Sequence, residues 1–433
     1  MSHAELGGIG IALMLILFLS GLELAVGMTV VGFAGFAYLR GLSPAVNLLA
    51  KDYFDTFASY SFTVIPLFIL MGQAAFNSGM ANDMYKMARK WMGHFPGGLA
   101  LGTVVGATIF KAISGSTLAT SATFSSVAIP EMDKSGYGRK LSTGVVASVG
   151  TLGLLIPPSS NLIVMGMITE QSIGKLFVAG ALPGLLCALF FAVIVIAWAL
   201  INPSMAPRGP VVDWKERLRG MSTVVWPLAV FCLTVGGLMA GYFTPTEAGT
   251  VGAVAVVALT MLKRDLDFKA YGQSLLQSLR MSAMVIMLLA GSAVFGHFLT
   301  VTRIPANLAE WVSTLPVHPL VVLTGIIIMY LVGGSFMDDA AFMILATPIF
   351  FPVALKLGFD PLWFCIVIGV TLMIGVIIPP VAASVFIVKG ITGERLSVVY
   401  AGVTPFLIGL FVCMIALFLF PGMATWLPSI LMQ

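Results

Sequence analysis

Charged residues are scarce in this chain: 22 Lys and Arg and 18 Asp and Glu make up 9% of its 433 positions, against about a quarter in a soluble domain. An ordinary water-facing surface is therefore excluded. Histidine and cysteine number four each. His3, His94, His297 and His318 are scattered without ligand spacing, which argues against a zinc-type site. Cys187, Cys232, Cys365 and Cys413 sit in apolar stretches without the pairing of a disulfide or metal framework and read as packing residues. No Gly-Lys-Ser or Gly-Lys-Thr follows Gly102, Gly106, Gly115 or Gly153, so nucleotide hydrolysis within the chain is not expected. An intramembrane enzyme would want a nucleophile beside a base, and none is evident. The start lacks a basic n-region, so the first apolar run reads as a span and not as a cleaved signal. The net charge of +4 is parcelled among loops and implies no nucleic acid.

What is abundant is apolar surface. Hydrophobic residues make up 59% of the chain and the mean hydropathy is +1.04, values of a polytopic membrane protein in a lipid bilayer. Stretches long enough to span lie near 5–21, 24–40, 62–80, 174–202, 222–242, 245–262, 281–300 and 395–421. Two further long runs, 138–172 and 361–392, are interrupted by Pro157-Pro158 and Pro379-Pro380. Each pair removes two backbone donors and must break a helix. A break in hydrocarbon is costly unless the freed carbonyls serve something, and paired breaks in two halves point to a ligand site.

The landmarks repeat at a nearly constant step. Gly115 and Gly334 are 219 residues apart, Gly72 and Gly291 also 219, Trp91 and Trp311 220, and Pro157 and Pro379, like Pro183 and Pro405, 222. Two homologous halves, 1–202 and 222–433, joined by a polar cytoplasmic linker at 203–221, are expected. Each reads as two spans, an amphipathic segment (43–58 or 265–280), a span, an arm, a glycine-tipped hairpin, a broken helix and a last span. The hairpins, 97–130 and 318–353, have legs of about 15 residues, or about 23 Å, too short for a core of about 30 Å. Their tips, Ser114-Gly115-Ser116-Thr117 and Gly333-Gly334-Ser335, are expected deep in the membrane.

Placing loops 82–95, 131–140, 203–221 and 263–280 in the cytoplasm collects 14 of the 22 Lys and Arg, as the positive-inside rule asks. The first hairpin then opens to the cytoplasm and the second to the outside, with both termini outside. The expected fold is all-α, with two inverted-topology repeats, each holding a re-entrant hairpin and a proline-broken helix.

At the midplane, hydroxyls of Ser114, Ser116, Thr117, Ser159 and Ser160 and the second-half groups Ser335, Asp338 and Asp339 offer hard oxygen ligands suited to Na+. A carboxylate pair in hydrocarbon is expensive and usually functional. Asp338 is the candidate cation ligand, with helix capping as its competing role. Lys111, three residues before the first tip, is a candidate for attracting an anionic substrate, unless it snorkels or pairs with an acid. Thr117, Ser159, Ser160 and Asp339 complete the substrate-facing set. Arg139 and Lys140 read as cytoplasmic anchors.

Several segments together resemble the large membrane subunit of tripartite ATP-independent periplasmic transporters. They are Ala-Ile-Ser-Gly-Ser-Thr-Leu-Ala-Thr (112–120), Ile-Pro-Glu-Met (129–132) with Gly136-Tyr137, Gly-Leu-Leu-Ile-Pro-Pro-Ser (153–159), Phe-Thr-Pro-Thr-Glu-Ala (243–248), Phe-Met-Asp (336–338), Thr-Pro-Ile (347–349) and Ile-Pro-Pro-Val (378–381). The resemblance implies a Na+-driven importer of small organic acids in the bacterial inner membrane. It implies a periplasmic substrate-binding protein and a small four-helix membrane subunit, expected as a separate chain. It also implies an elevator mechanism in which 97–172 and 318–392 move against the rest. Two or more Na+ would be held, one by Ser114, Gly115 and Ser116 with backbone near Gly153, Pro157 and Pro158. The other would use Gly334, Ser335 and Asp338 with backbone near Gly375, Pro379 and Pro380. Two departures stand out: Val381-Ala382 where the family often has Val-Gly, and Lys111 where it usually has a small or neutral residue. A stand-alone Na+/dicarboxylate symporter of related architecture is the alternative.

Overall fold

The computed structural model describes residues 3–263 and 266–432, and every regular element among them is helical. Arg264 and Asp265, in the basic loop and amphipathic segment named above, lie outside the described residues. The first half runs through α1 (His3–Leu19), α2 (Leu24–Arg40), α3 (Leu42–Ala58), a 3-10 turn (Tyr60–Thr63), α4 (Val64–Asn77) and α5 (Met80–Met92). It continues with α6 (Gly98–Ser114), α7 (Thr117–Lys134), α8 (Arg139–Thr151), α9 (Ser160–Thr169) and α10 (Ile173–Ile201). In the second half α11 (Trp214–Phe231) passes through a π turn (Cys232–Gly236) into α12 (Gly237–Met239). Then come α13 (Pro245–Lys263), α14 (Phe268–Thr302), α15 (Ile304–Thr314), α16 (Pro319–Phe336), α17 (Asp339–Lys356), α18 (Pro361–Gly375), α19 (Ala383–Thr392), α20 (Leu396–Leu419) and α21 (Gly422–Leu431). Eight helical stretches among the described residues are long and apolar enough to cross a membrane.

The hairpins form as α6–α7 and α16–α17, but their legs are longer than expected, at 17 and 18 residues in the first and 18 in each leg of the second. At about 27 Å they nearly match the hydrocarbon core. The reason is that Pro130 and the pair Pro348 and Pro352 lie inside α7 and α17 without ending them, since packed neighbours re-satisfy the backbone that proline frees. The two halves differ in a second way. The amphipathic segment and following span are separate in the first half, as α3 and α4, but fuse into the single 35-residue α14 in the second.

Capping residues set the helix starts. Ser116 accepts from the Ala119 amide, Ser159 from Leu162, and Asp360 from Trp363 with Pro361 at the first helical position. The core is formed by the first parts of the broken helices: Leu141 to Thr151 of α8 and Trp363 to Gly375 of α18 are all buried. Lipid supplies no hydrophobic drive between helices, so small residues bring backbones together. Gly144 of α8 lies against the Gly402 backbone of α20, and Gly32 of α2 against Phe295 of α14.

Candidate functional site

The first hairpin tip turns on Gly115, whose φ of +58 is left-handed, a conformation glycine adopts without a Cβ penalty. Gly115 has no room for a side chain either, since a Cβ would lie 2.6 Å from the Pro158 carbonyl oxygen. The tip is thereby pressed onto the first proline turn, and Ser160 Oγ donates to the Gly115 carbonyl at 3.2 Å. From the other side, Gly72 of α4 approaches the Ser114 carbonyl so closely that any Cβ would collide with it. Both proline pairs have cis peptide bonds.

A small cavity opens at this junction. Its polar lining comes from Ser114, Gly115, Ser116 and Thr117 of the first tip, Pro158, Ser160 and Asn161 of the first broken helix, and Asp338 and Asp339 of the second hairpin. The facing wall is mostly apolar, with Ile65, Phe68 and Ile69 of α4 and Met281, Met284 and Val285 of α14. Asn161 Nδ2 donates to Asp339 Oδ2 at 2.7 Å, a buried bond that joins the halves at the cavity floor. Asp338 Oδ1 accepts from the amides of Ala340 and Ala341 at 3.1 and 3.2 Å. It therefore caps α17, while its side chain also reaches the cavity.

Other expected residues lie elsewhere. Lys111 is fully buried, does not line the cavity and does not snorkel; its Nζ donates to the Ser116 carbonyl at 2.6 Å and lies against Gly153. Ser159 is buried behind the wall, its hydroxyl donating to the Leu154 carbonyl at 3.0 Å. Pro157 is buried beside it. Gly334 and Gly375 meet backbone to backbone, where a Cβ on Gly375 would come within 3.1 Å of the Gly334 carbonyl carbon. The Ser335 carbonyl accepts from the Val381 and Ala382 amides at 3.2 and 3.3 Å. Pro379 and Pro380 are exposed, and none of Gly334, Ser335, Gly375, Pro379 and Pro380 lines the cavity. The expectation that both tips converge on one cavity thus needs correction: the first tip contributes fully, the second only through Asp338 to Ala340. The physical cause is that Phe342 packs over Gly333 and the tip carbonyl is tied to residues 381 and 382.

Sequence reading misses three contributors to the cavity, Asn161, Gln73 and Gly72. Asn161 carries a usable signal as the one amide in the apolar run Asn161 to Ile168. Gly72 stands out in sequence only as a repeat landmark.

Similarity to known proteins agrees with this architecture. Residues 11–423 match the family described as tripartite ATP-independent periplasmic transporter, DctM component. The chain is 36% identical over 401 residues to a C4-dicarboxylate TRAP transporter large permease protein of Pseudomonas aeruginosa, covering 92% of this chain and 93% of that one. It is 28% identical to a sialic acid TRAP transporter large permease protein of Vibrio cholerae, covering 90% and 91%. Among solved structures, the YdaH transporter of Alcanivorax borkumensis shares the fold, with a TM-score of 0.65 at 13% identity over 90% of this chain and 89% of that one. A family match over nearly the whole length, together with a hairpin tip seated on a broken helix at a cavity, makes this chain a member of the tripartite ATP-independent periplasmic transporters, as their large permease component.

Proposed function

We propose that the chain imports a small organic acid across the bacterial inner membrane, coupled to Na+. It would receive its solute from a periplasmic binding protein and work with a separate four-helix membrane subunit. The observation that carries the reading is the cavity between the halves. The N-termini of α7 and α9 open onto it, at Thr117 and Ser160, and helix N-termini attract carboxylates through free amides and the macrodipole. Asp338 and Asp339 line the same cavity, Asp339 bonded to Asn161 in the first turn of α9. An anion entering beside two carboxylates is opposed by about 4 kcal/mol per charge pair at 4 Å and an effective dielectric of 20, so a cation must bind first. That order is what couples solute to ion. The C4-dicarboxylate and sialic acid named for the relatives support a carboxylate cargo.

In this reading the hairpins and broken helices move as an elevator against α4 and α14, whose apolar wall offers few bonds to break. The basic loops lie inside and both termini outside. The test is reconstitution of the chain with its small subunit and binding protein, following uptake of labelled C4-dicarboxylates under Na+ and K+ gradients. Uptake by the purified chain alone would sink the tripartite reading, and uptake indifferent to Na+ would sink the coupling.

A further inference from the structure

Behind the first tip lies a small space that the chain itself fills with an amine. The Lys111 side chain has no exposed surface. Its Nζ reaches past one helical turn to the Ser116 carbonyl, at 2.6 Å. A side chain on Gly153 would overlap the amine and lie 3.0 Å from the Lys111 Cδ and Cε, so the absence of a Cβ at 153 makes the space the amine occupies. Two helices end here, α6 at Ser114 and α8 at Thr151, and helix C-termini carry negative partial charge that favours a cation.

The second half supplies the control. The position 219 residues after Lys111 is Tyr330, whose hydroxyl pairs with Thr347 Oγ1 at 3.0 Å. Gly375, the counterpart of Gly153, faces the bare backbone of Gly334. The counterpart of the Ser116 carbonyl, on Ser335, is met by two backbone amides. A side-chain amine in the glycine pocket is thus a feature of the first half.

We propose that Lys111 is a tethered cation occupying the place where Ser116 and Gly153 would otherwise hold a coupling Na+, so that the first half binds none. The residues expected for a first Na+ site do not fit that ion while the lysine is present. Any Na+ that drives transport is then held outside the first-half pocket. The inference rests on the Na+-coupled reading above.

The decisive measurement is the number of 22Na+ bound per chain by the purified protein in nanodiscs, at constant ionic strength with choline as the balancing cation. Wild type is expected to bind one. Lys111→Ala, which vacates the pocket, is expected to bind one more, with a Hill coefficient that rises accordingly. Lys111→Met, which fills the same volume without an amine, is expected to keep the wild-type count. Two Na+ per wild-type chain would overturn the proposal, and this needs no variant to fold. An unchanged count in folded Lys111→Ala would also overturn it. No Na+ on either wild type or Lys111→Ala would overturn the Na+-coupled reading along with it.

Discussion

The two proline turns occupy matching places in the two halves, yet the first is sealed and the second lies open. Pro157, Pro158 and Ser159 are buried, and the Ser159 hydroxyl closes the turn on the Leu154 carbonyl while capping α9. Pro379 and Pro380 are exposed, Val381 is 40% exposed, and Tyr400 donates to the Pro380 carbonyl at 2.9 Å. Where the first turn has a serine cap, the second has Ala382, held at a φ of +48. The tip carbonyls also differ: Ser116 accepts from the Lys111 amine as well as from the amide and hydroxyl of Thr120 in its own helix, Ser335 from two amides of its own half's broken helix. The proline pairs therefore set where the chain breaks, but the group that answers each freed carbonyl is chosen locally. The half with buried polar groups at its break is the half that builds the cavity.

Alanine at the two tips would separate these halves most sharply. Gly115→Ala must place a Cβ at positive φ and against the fixed Pro158 carbonyl, with an expected cost of about 2–4 kcal/mol and loss of uptake. Gly334→Ala meets the Leu372 side chain at 3.3 Å and the Gly375 Cα at an ordinary 3.8 Å, and is expected to cost under about 1.5 kcal/mol. Equal losses of thermal stability in the two variants would break the comparison. Next in size is Asn161→Leu, which leaves the buried Asp339 carboxylate without its donor. A destabilisation of about 2–3 kcal/mol is expected, relieved when Asp339→Asn is added; failure of the double variant to recover would show that the bond matters for something other than paired charge.

Smaller effects test single groups in each half. Ala382→Gly removes a non-glycine residue from the left-handed region and is expected to stabilise by about 1 kcal/mol, read as a raised melting temperature. Asp338→Asn keeps a good capping group, so folding should be retained while Na+ activation of uptake weakens; unchanged activation would remove Asp338 from ion binding. The smallest effect belongs to the C-terminal end of α7, where a hydrogen bond from Lys134, helped by Arg89, holds the Glu131 carboxyl below its usual range. Because the folded-state value is depressed, this contribution is present at neutral pH and disappears as pH falls through that lowered value. The groups are well exposed, so Glu131→Gln should cost only about 0.5 kcal/mol at pH 7, and the gap from wild type should close in acid.

Spans and breaks were readable because each depends on local chemistry: apolar runs, paired prolines, glycine tips. The final span and both interrupted runs end close to α20, α8–α9 and α18–α19. What escaped depended on partners. Pro130, Pro348 and Pro352 look like helix ends in sequence but are carried through by packing. The fusion of 268–302 into one helix has no local signal, since its polar and apolar parts differ in composition but not in helix propensity. The bond between Asn161 and Asp339 joins residues 178 positions apart. The destination of Lys111 turned on Gly153, a residue defined by what it lacks.

The 35-residue α14 has a consequence for the lipid around it. At about 52 Å it exceeds even a bilayer of about 45 Å with headgroups, so an upright helix must emerge and a submerged one must lean. Its counterpart is divided at Ser59, which is extended at a ψ of 121, and α3 can lie along the interface whatever the span of α4 does. The joint at Ser59 therefore lets α3 keep its place at the headgroups as lipid thickness changes the tilt of α4, whereas any tilt of the apolar part of α14 carries its polar part along as one rod.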